Sequence, residues 1–168
     1  MHSMSKFLSG ALLLSVAMGL ALLPQRADSR SRGSLRDVGV PQASASEPIP
    51  AFHSQAPQGA LPSTMDPSLF TDPVIQNAYA VAARIRKVLY QQPCYCHCDQ
   101  SQGHGSLLDC FVSQHGSGCG TCMREAFYSY EQSRNGKTAS QIREGIEHGD
   151  WKSVDISKYE KPLPAPAR

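Results

Sequence analysis

At 168 residues, with 40% hydrophobic and 18% charged side chains, the chain has room for one domain of ordinary size. Its formal net charge of +2 is seated at the front: residues 1–64 hold five Lys/Arg against three Asp/Glu, while residues 65–168 hold eleven of each. A neutral second half without a basic stripe or interleaved aromatics excludes nucleic acid as a partner.

Lys6 followed by an apolar run over residues 7–23 has the length and position of a secretory h-region. Residues 1–27 are therefore expected to be a signal peptide, cut after Ala21 or Ala27, or a signal anchor if left uncut. No cysteine follows the run, so a lipid-bearing N-terminal cysteine is not expected. The remainder is expected to be extracytoplasmic, periplasmic or secreted, touching a membrane only through an uncleaved N-terminal segment. Residues 28–64 interleave Pro41, Pro48, Pro50, Pro57 and Pro62 with Ser, Ala, Gln and Gly, and apolar periodicity is absent. Such a stretch buries too little surface to offset its ordering entropy, and it reads as a disordered linker.

The foldable part is expected over residues 65–157. Asp72-Pro73 starts a helix, with Asp as N-cap and Pro at the first helical position, where its missing N–H costs nothing. Ile75, Ala78, Tyr79, Ala82, Ile85, Val88 and Leu89 then recur at helical spacing, and Pro93 ends the run. The residue before a proline is biased away from α, so the segment 94–98 is expected to start extended or turned. Residues 100–105 read as loop. Ser106 with Asp109 three residues on resembles a capping box opening a short second helix to about His115, where Gly116-Ser117-Gly118 stops it. A third helix is expected from about Cys119 to Arg134 with Asn135-Gly136 as its stop, and a fourth from the Thr138/Gln141 capping box to His148. Trp151 reads as a hydrophobic lid, and residues 158–168 as a frayed proline-rich tail. No strand pattern of useful length occurs. The expected fold is all-α: a small domain of about four helices around a cysteine-rich loop, with a core so modest that metal or cross-links would add to its stability.

All six cysteines lie between positions 94 and 122, and so do His97, His104 and His115. Cys94, Cys96 and Cys98 alternate, which in extended chain sets their side chains on one face about 6.6 Å apart. Cysteines two positions apart are awkward disulfide partners for each other. Cys119 and Cys122 stand at i and i+3 near a helix start, a recurrent ligand pair whose thiolates the helix dipole favours. A hairpin across Gly116–Gly118 would bring Cys110 towards them. Three chemistries fit. The first is a soft metal, Cu(I) or Zn(II), held by clustered thiolates with histidine help and with room for two ions. Three disulfides joining the 94–98 triplet to Cys110, Cys119 and Cys122 are the second, as an even count in an oxidising compartment encourages. The third is a redox pair, Cys119 and Cys122, which lacks the surrounding βαβ pattern. Density favours metal, because staples should be spread over a domain and the first and fourth helices hold no cysteine. Met123 is a thioether donor by type, but core packing is its ordinary role on an amphipathic helix. Enzyme signatures are absent, so catalysis is not the expectation.

Pro93-Cys94-Tyr95-Cys96-His97-Cys98, Gly103-His104, Ser106-Leu107, Asp109-Cys110-Phe111, His115-Gly116, Cys119-x-x-Cys122, Glu125 and Gln141-Ile142-Arg143 together resemble the bacterial family named for its PCYCGC motif. That family is of uncharacterised function, generally exported and often lipid-anchored, so the resemblance implies export and an intact cysteine set. The sequence departs from it twice, with His97 at the glycine of the name-giving motif and no lipid-acceptor cysteine near the N-terminus. The combined expectation is an exported metal-binding protein for sequestration, delivery or sensing. Its candidate ligands are Cys94, Cys96, Cys98, Cys110, Cys119 and Cys122, then His97, His104 and His115, and its partners are the ion and another extracytoplasmic protein.

Overall fold

The structure, a computed structural model, describes residues 47–164. The expected signal segment and the linker up to residue 46 lie outside the described residues. Among the described residues there are six α-helices and no strand, and no helix is long and apolar enough to cross a membrane. The helices are α1 (Pro73–Arg84), α2 (Arg86–Leu89), α3 (Cys98–Gln102), α4 (Asp109–Val112), α5 (Gly120–Arg134) and α6 (Ala139–His148).

The three longest helices form for the reasons their sequences give. Asp72 Oδ1 accepts from the Val74 and Ile75 amides at 2.8 and 3.1 Å, and Pro73 takes the first position of α1. Thr138 and Gln141 close a reciprocal capping box on α6, which ends at Gly149 with φ 82°. Helix α5 buries Cys122, Glu125, Ala126, Phe127 and Tyr130, and packs on α1 on one side and α6 on the other. Tyr79, Phe111, Phe127, Leu89, Leu107, Leu108, Ile142 and Ile146 fill the space between.

Elsewhere the backbone departs from the periodic reading. The first helix does not run on to Pro93: it breaks at Ile85 (φ −120°, ψ 30°), and α2 restarts at Arg86. Arg86 Nη1 there donates to the carbonyls of Leu61 and Pro62, tying the preceding segment to the break. Residues 98–102, read partly as loop, form the short α3, entered through His97 and left through Gly103, both left-handed. The second helix is divided into α4 and a 3-10 turn, Gln114–Gly118, by extended Ser113. Ser106 does not cap it. Asp109 Oδ2 instead accepts from the Gly105 amide at 2.8 Å, so the carboxylate closes the preceding turn rather than a capping box.

Both segments outside the helices are held by discrete anchors. Before α1, the Ala51 amide donates to Asp99, His53 stacks on Tyr90 with ring centroids 3.9 Å apart, and the Arg143 guanidinium lies over Phe52. After α6, Trp151 is buried as a lid, and Tyr159 stacks on Phe127 at 3.6 Å. Asn77 and Arg84 bind the carbonyls of Tyr159, Lys161 and Pro164, so residues 158–164 lie along α1.

Candidate metal centre

The cysteines arrive at one place from three elements. Gln92, fully buried, sets the approach: its side-chain amide donates to the carbonyls of Val88 and Ala139 at 3.1 Å, and its main-chain carbonyl accepts from Leu107 N–H at 2.9 Å. Pro93 follows, and the loop from Cys94 turns back on itself through a bond from His97 N–H to the Cys94 carbonyl. Cys98 opens α3, Cys110 lies in α4, and Cys119 and Cys122 stand at and just inside the start of α5.

Their sulfurs meet beneath the loop. Cys94 Sγ lies 3.3 Å from Cys96 Sγ and 3.5 Å from Cys122 Sγ, Cys96 and Cys122 are 3.5 Å apart, and Cys98 and Cys110 are 3.3 Å apart. All six cysteines are free thiols, with Cys94, Cys98, Cys110 and Cys122 buried and Cys96 and Cys119 half-buried. The contacts are shared rather than pairwise, since Cys94, Cys96 and Cys122 each touch the other two.

The histidines divide. His104 Nδ1 lies 3.4 Å from Cys110 Sγ, His115 Nε2 lies 3.9 Å from Cys96 Sγ, and the two rings meet edge to face at 5.1 Å. Tyr79 fixes the segment that carries His115, its hydroxyl donating to the Ser113 carbonyl at 2.7 Å and accepting from Ser117 N–H at 3.1 Å. Gly116 leaves no room for more, because an added Cβ would stand 2.9 Å from the Cys110 carbonyl oxygen. His97 does not join the cluster. Its left-handed backbone (φ 55°) turns the ring outward, where Nε2 pairs with Glu47 at 2.9 Å.

Three sets of four donor atoms lie within 4.8 Å of one another, so the cluster could hold a metal ion. They are Cys94, Cys96, Cys98 and Cys110; Cys96, Cys110, His115 and Cys122; and Cys98, His104, Cys110 and His115. Neither His97 nor Cys119 belongs to any of them, although Cys119 stays next to Cys96 and Cys122.

The thiols do not titrate alike. Hydrogen bonds from Cys122 and Cys94 hold Cys110 down to about 4, and bonds from Cys110, Cys119 and neighbouring thiols hold Cys96 well below the ordinary thiol range. Cys94, Cys98 and Cys122 are pushed up, chiefly through their hydrogen bonds to Cys110. Glu125 is the residue that sequence reasoning left without a role. Fully buried one turn after Cys122, it accepts from Tyr95 N–H at 2.8 Å and so pins the cysteine loop to α5, and its other oxygen, Oε2, has no partner. Burial raises its carboxyl to about 8, well above the ordinary carboxylate range. The available signal was the i, i+3 spacing from Cys122, which puts the two on one helix face.

A comparison with curated proteins gives no match, and neither does one with solved structures. A family model described as a protein of unknown function with PCYCGC motif matches residues 52–167. The match takes in all six cysteines, the two clustered histidines, Glu125 and both anchoring segments, from Phe52 to the tail on α1. On that extent the chain belongs to the PCYCGC-motif family.

Proposed function

We propose that the protein binds a soft metal ion, Cu(I) or Zn(II), through its clustered thiolates, and that it sequesters, delivers or senses that ion outside the cytoplasm. The observation that carries this reading is the mutual approach of Cys94, Cys96 and Cys122 within 3.3–3.5 Å. Sulfurs around a common ion share their neighbours in this way, whereas a disulfide framework sorts them into pairs. Thiolate softness selects these metals, and imidazole nitrogen from His104 or His115 suits both. Export rests on the apolar run at residues 7–23, and the ion is handed to or taken from another extracytoplasmic protein.

The test is elemental analysis paired with intact mass on full-length protein purified without oxygen. Stoichiometric metal on a fully reduced chain is the expected result. Retention should fall as the solution is acidified, because protons compete for the thiolates. A metal-free chain whose mass shows three disulfides would replace metal binding with a structural role for the cysteines.

A further inference from the structure

A tetrahedral ion takes four donors, yet the cluster offers three overlapping sets of four, the atoms of each set within 4.8 Å of one another. The first set is Cys94, Cys96, Cys98 and Cys110, and the second is Cys96, Cys110, His115 and Cys122. Their two common members are both cysteines. A thiolate sulfur has lone pairs for two metals, while an imidazole nitrogen has one, so this shared pair is of the type that can bridge. Two tetrahedra sharing an edge require six donors, and the union of the two sets supplies six.

We propose, on the thiolate-binding reading above, that the site is binuclear: two tetrahedral ions of the Zn(II) class joined by the Cys96 and Cys110 sulfurs. Cys94 and Cys98 complete one ion, and Cys122 and His115 complete the other. Zn–S bonds of about 2.3 Å make the S···S edge of a tetrahedron about 3.8 Å, so Cys94–Cys96, Cys96–Cys122 and Cys98–Cys110, now 3.3–3.5 Å apart, need to open by only a few tenths of an ångström, while Cys94 and Cys122, 3.5 Å apart and on different ions, must separate further as the ions enter.

Charge points the same way. Four thiolates around one divalent ion leave two buried negative charges, whereas five thiolates around two such ions leave one, and buried uncompensated charge is costly. The third set, Cys98, His104, Cys110 and His115, is a weaker partner for either of the others. Paired with the second it asks a single His115 nitrogen to serve two ions. Paired with the first it leaves out Cys122, whose buried sulfur touches both Cys94 and Cys96. His104 is then a neighbour of the bridging Cys110 sulfur rather than a ligand, and half-buried Cys119 is a spare donor at the edge.

The experiment is an anaerobic titration of the reduced full chain with Co(II), a spectroscopic stand-in for Zn(II), with native mass spectrometry counting ions. Two ions per chain are expected, with sulfur-to-cobalt charge-transfer absorption growing through the second equivalent. The electron paramagnetic resonance amplitude of the first equivalent should fall as the second binds, because bridging sulfurs couple the two spins. Cys119→Ser should keep both ions and the coupling, and Cys110→Ser, which leaves Cys96 as a single bridge, should weaken the coupling or release one ion. Saturation at one ion overturns the binuclear centre and leaves metal binding standing, while no bound ion overturns the binuclear centre and removes the Zn(II) reading with it. Two ions with additive, uncoupled signals would overturn the bridge.

Discussion

His97 shows how one backbone angle decides a ligand set. In sequence it stands between two cysteines and reads as a donor, but the chain must reverse there to start α3 at Cys98, and the reversal uses φ 55° and ψ 36°. That region costs an ordinary L-residue about 1–2 kcal/mol, which explains why the family motif has glycine at this position. The side chain consequently faces Glu47, an exposed pairing of little energetic weight. His97→Val, β-branched and intolerant of positive φ, is expected to lower stability by about 2 kcal/mol. His97→Gly should stay within about 1 kcal/mol of the parent, since relief of strain and the added freedom of the unfolded chain nearly cancel. Urea denaturation of the two variants gives the comparison, and equal stabilities would mean that the turn imposes no constraint. Metal stoichiometry should be unchanged in His97→Gly; a lost ion would restore His97 to the ligand set.

Among the elements, α1, α5 and α6 were legible because their caps and periodicity are local: Asp72-Pro73, Thr138 with Gln141, and the stop at Asn135-Gly136. What was not legible depends on distant partners. The break at Ile85 goes with Arg86 reaching the carbonyls of Leu61 and Pro62, and the division of the second helix goes with Tyr79 holding Ser113 and Ser117. Gathering of the six cysteines was readable from spacing, but which histidines join them was not, because that is set by these same irregular turns. Gly116 is the tightest point of the arrangement. A Cβ there meets the Cys110 carbonyl oxygen at 2.9 Å and the Phe111 ring at 3.1 Å, and backbone cannot swing aside as a flexible side chain can. Gly116→Ala is expected to cost about 1–3 kcal/mol through overpacking and to weaken metal retention by displacing His115 from Cys96. Gly118→Ala, with nothing within 4 Å of its added Cβ, is the matched control and should leave both quantities near those of the parent. Thermal melts with and without added Zn(II) read both effects.

On the scale of the whole molecule, the segments that composition sets aside as linker and tail finish the two ends of α5. Near its N-terminus, Pro50 and Ala51 cover Cys94 and Cys98, with the Ala51 amide bound to Asp99. Near its C-terminus, residues 158–164 close the face that α1 and α5 leave open. Neither segment has a period, so neither announces itself in sequence; each works through a few aromatic, proline and carbonyl contacts. A domain this small has little core to spare, so the tail should matter for stability. Ending the chain after Ser157 removes the Tyr159 ring from Phe127, its hydroxyl from Glu131 at 2.9 Å, and the carbonyls that Asn77 and Arg84 bind. Burial of one large aromatic side chain is worth about 1.5–3 kcal/mol, so the truncated chain is expected to be less stable by about 3 kcal/mol in urea. The cluster should be spared, because at about 1.5 Å per residue Cys122 lies about 12 Å along α5 from Tyr130, where the tail packs. Unchanged metal content with a lowered urea midpoint is the expected pair of results. Loss of metal together with stability would show that the two ends of α5 fold as one unit, and an unshifted midpoint would show that the tail contributes nothing to the fold.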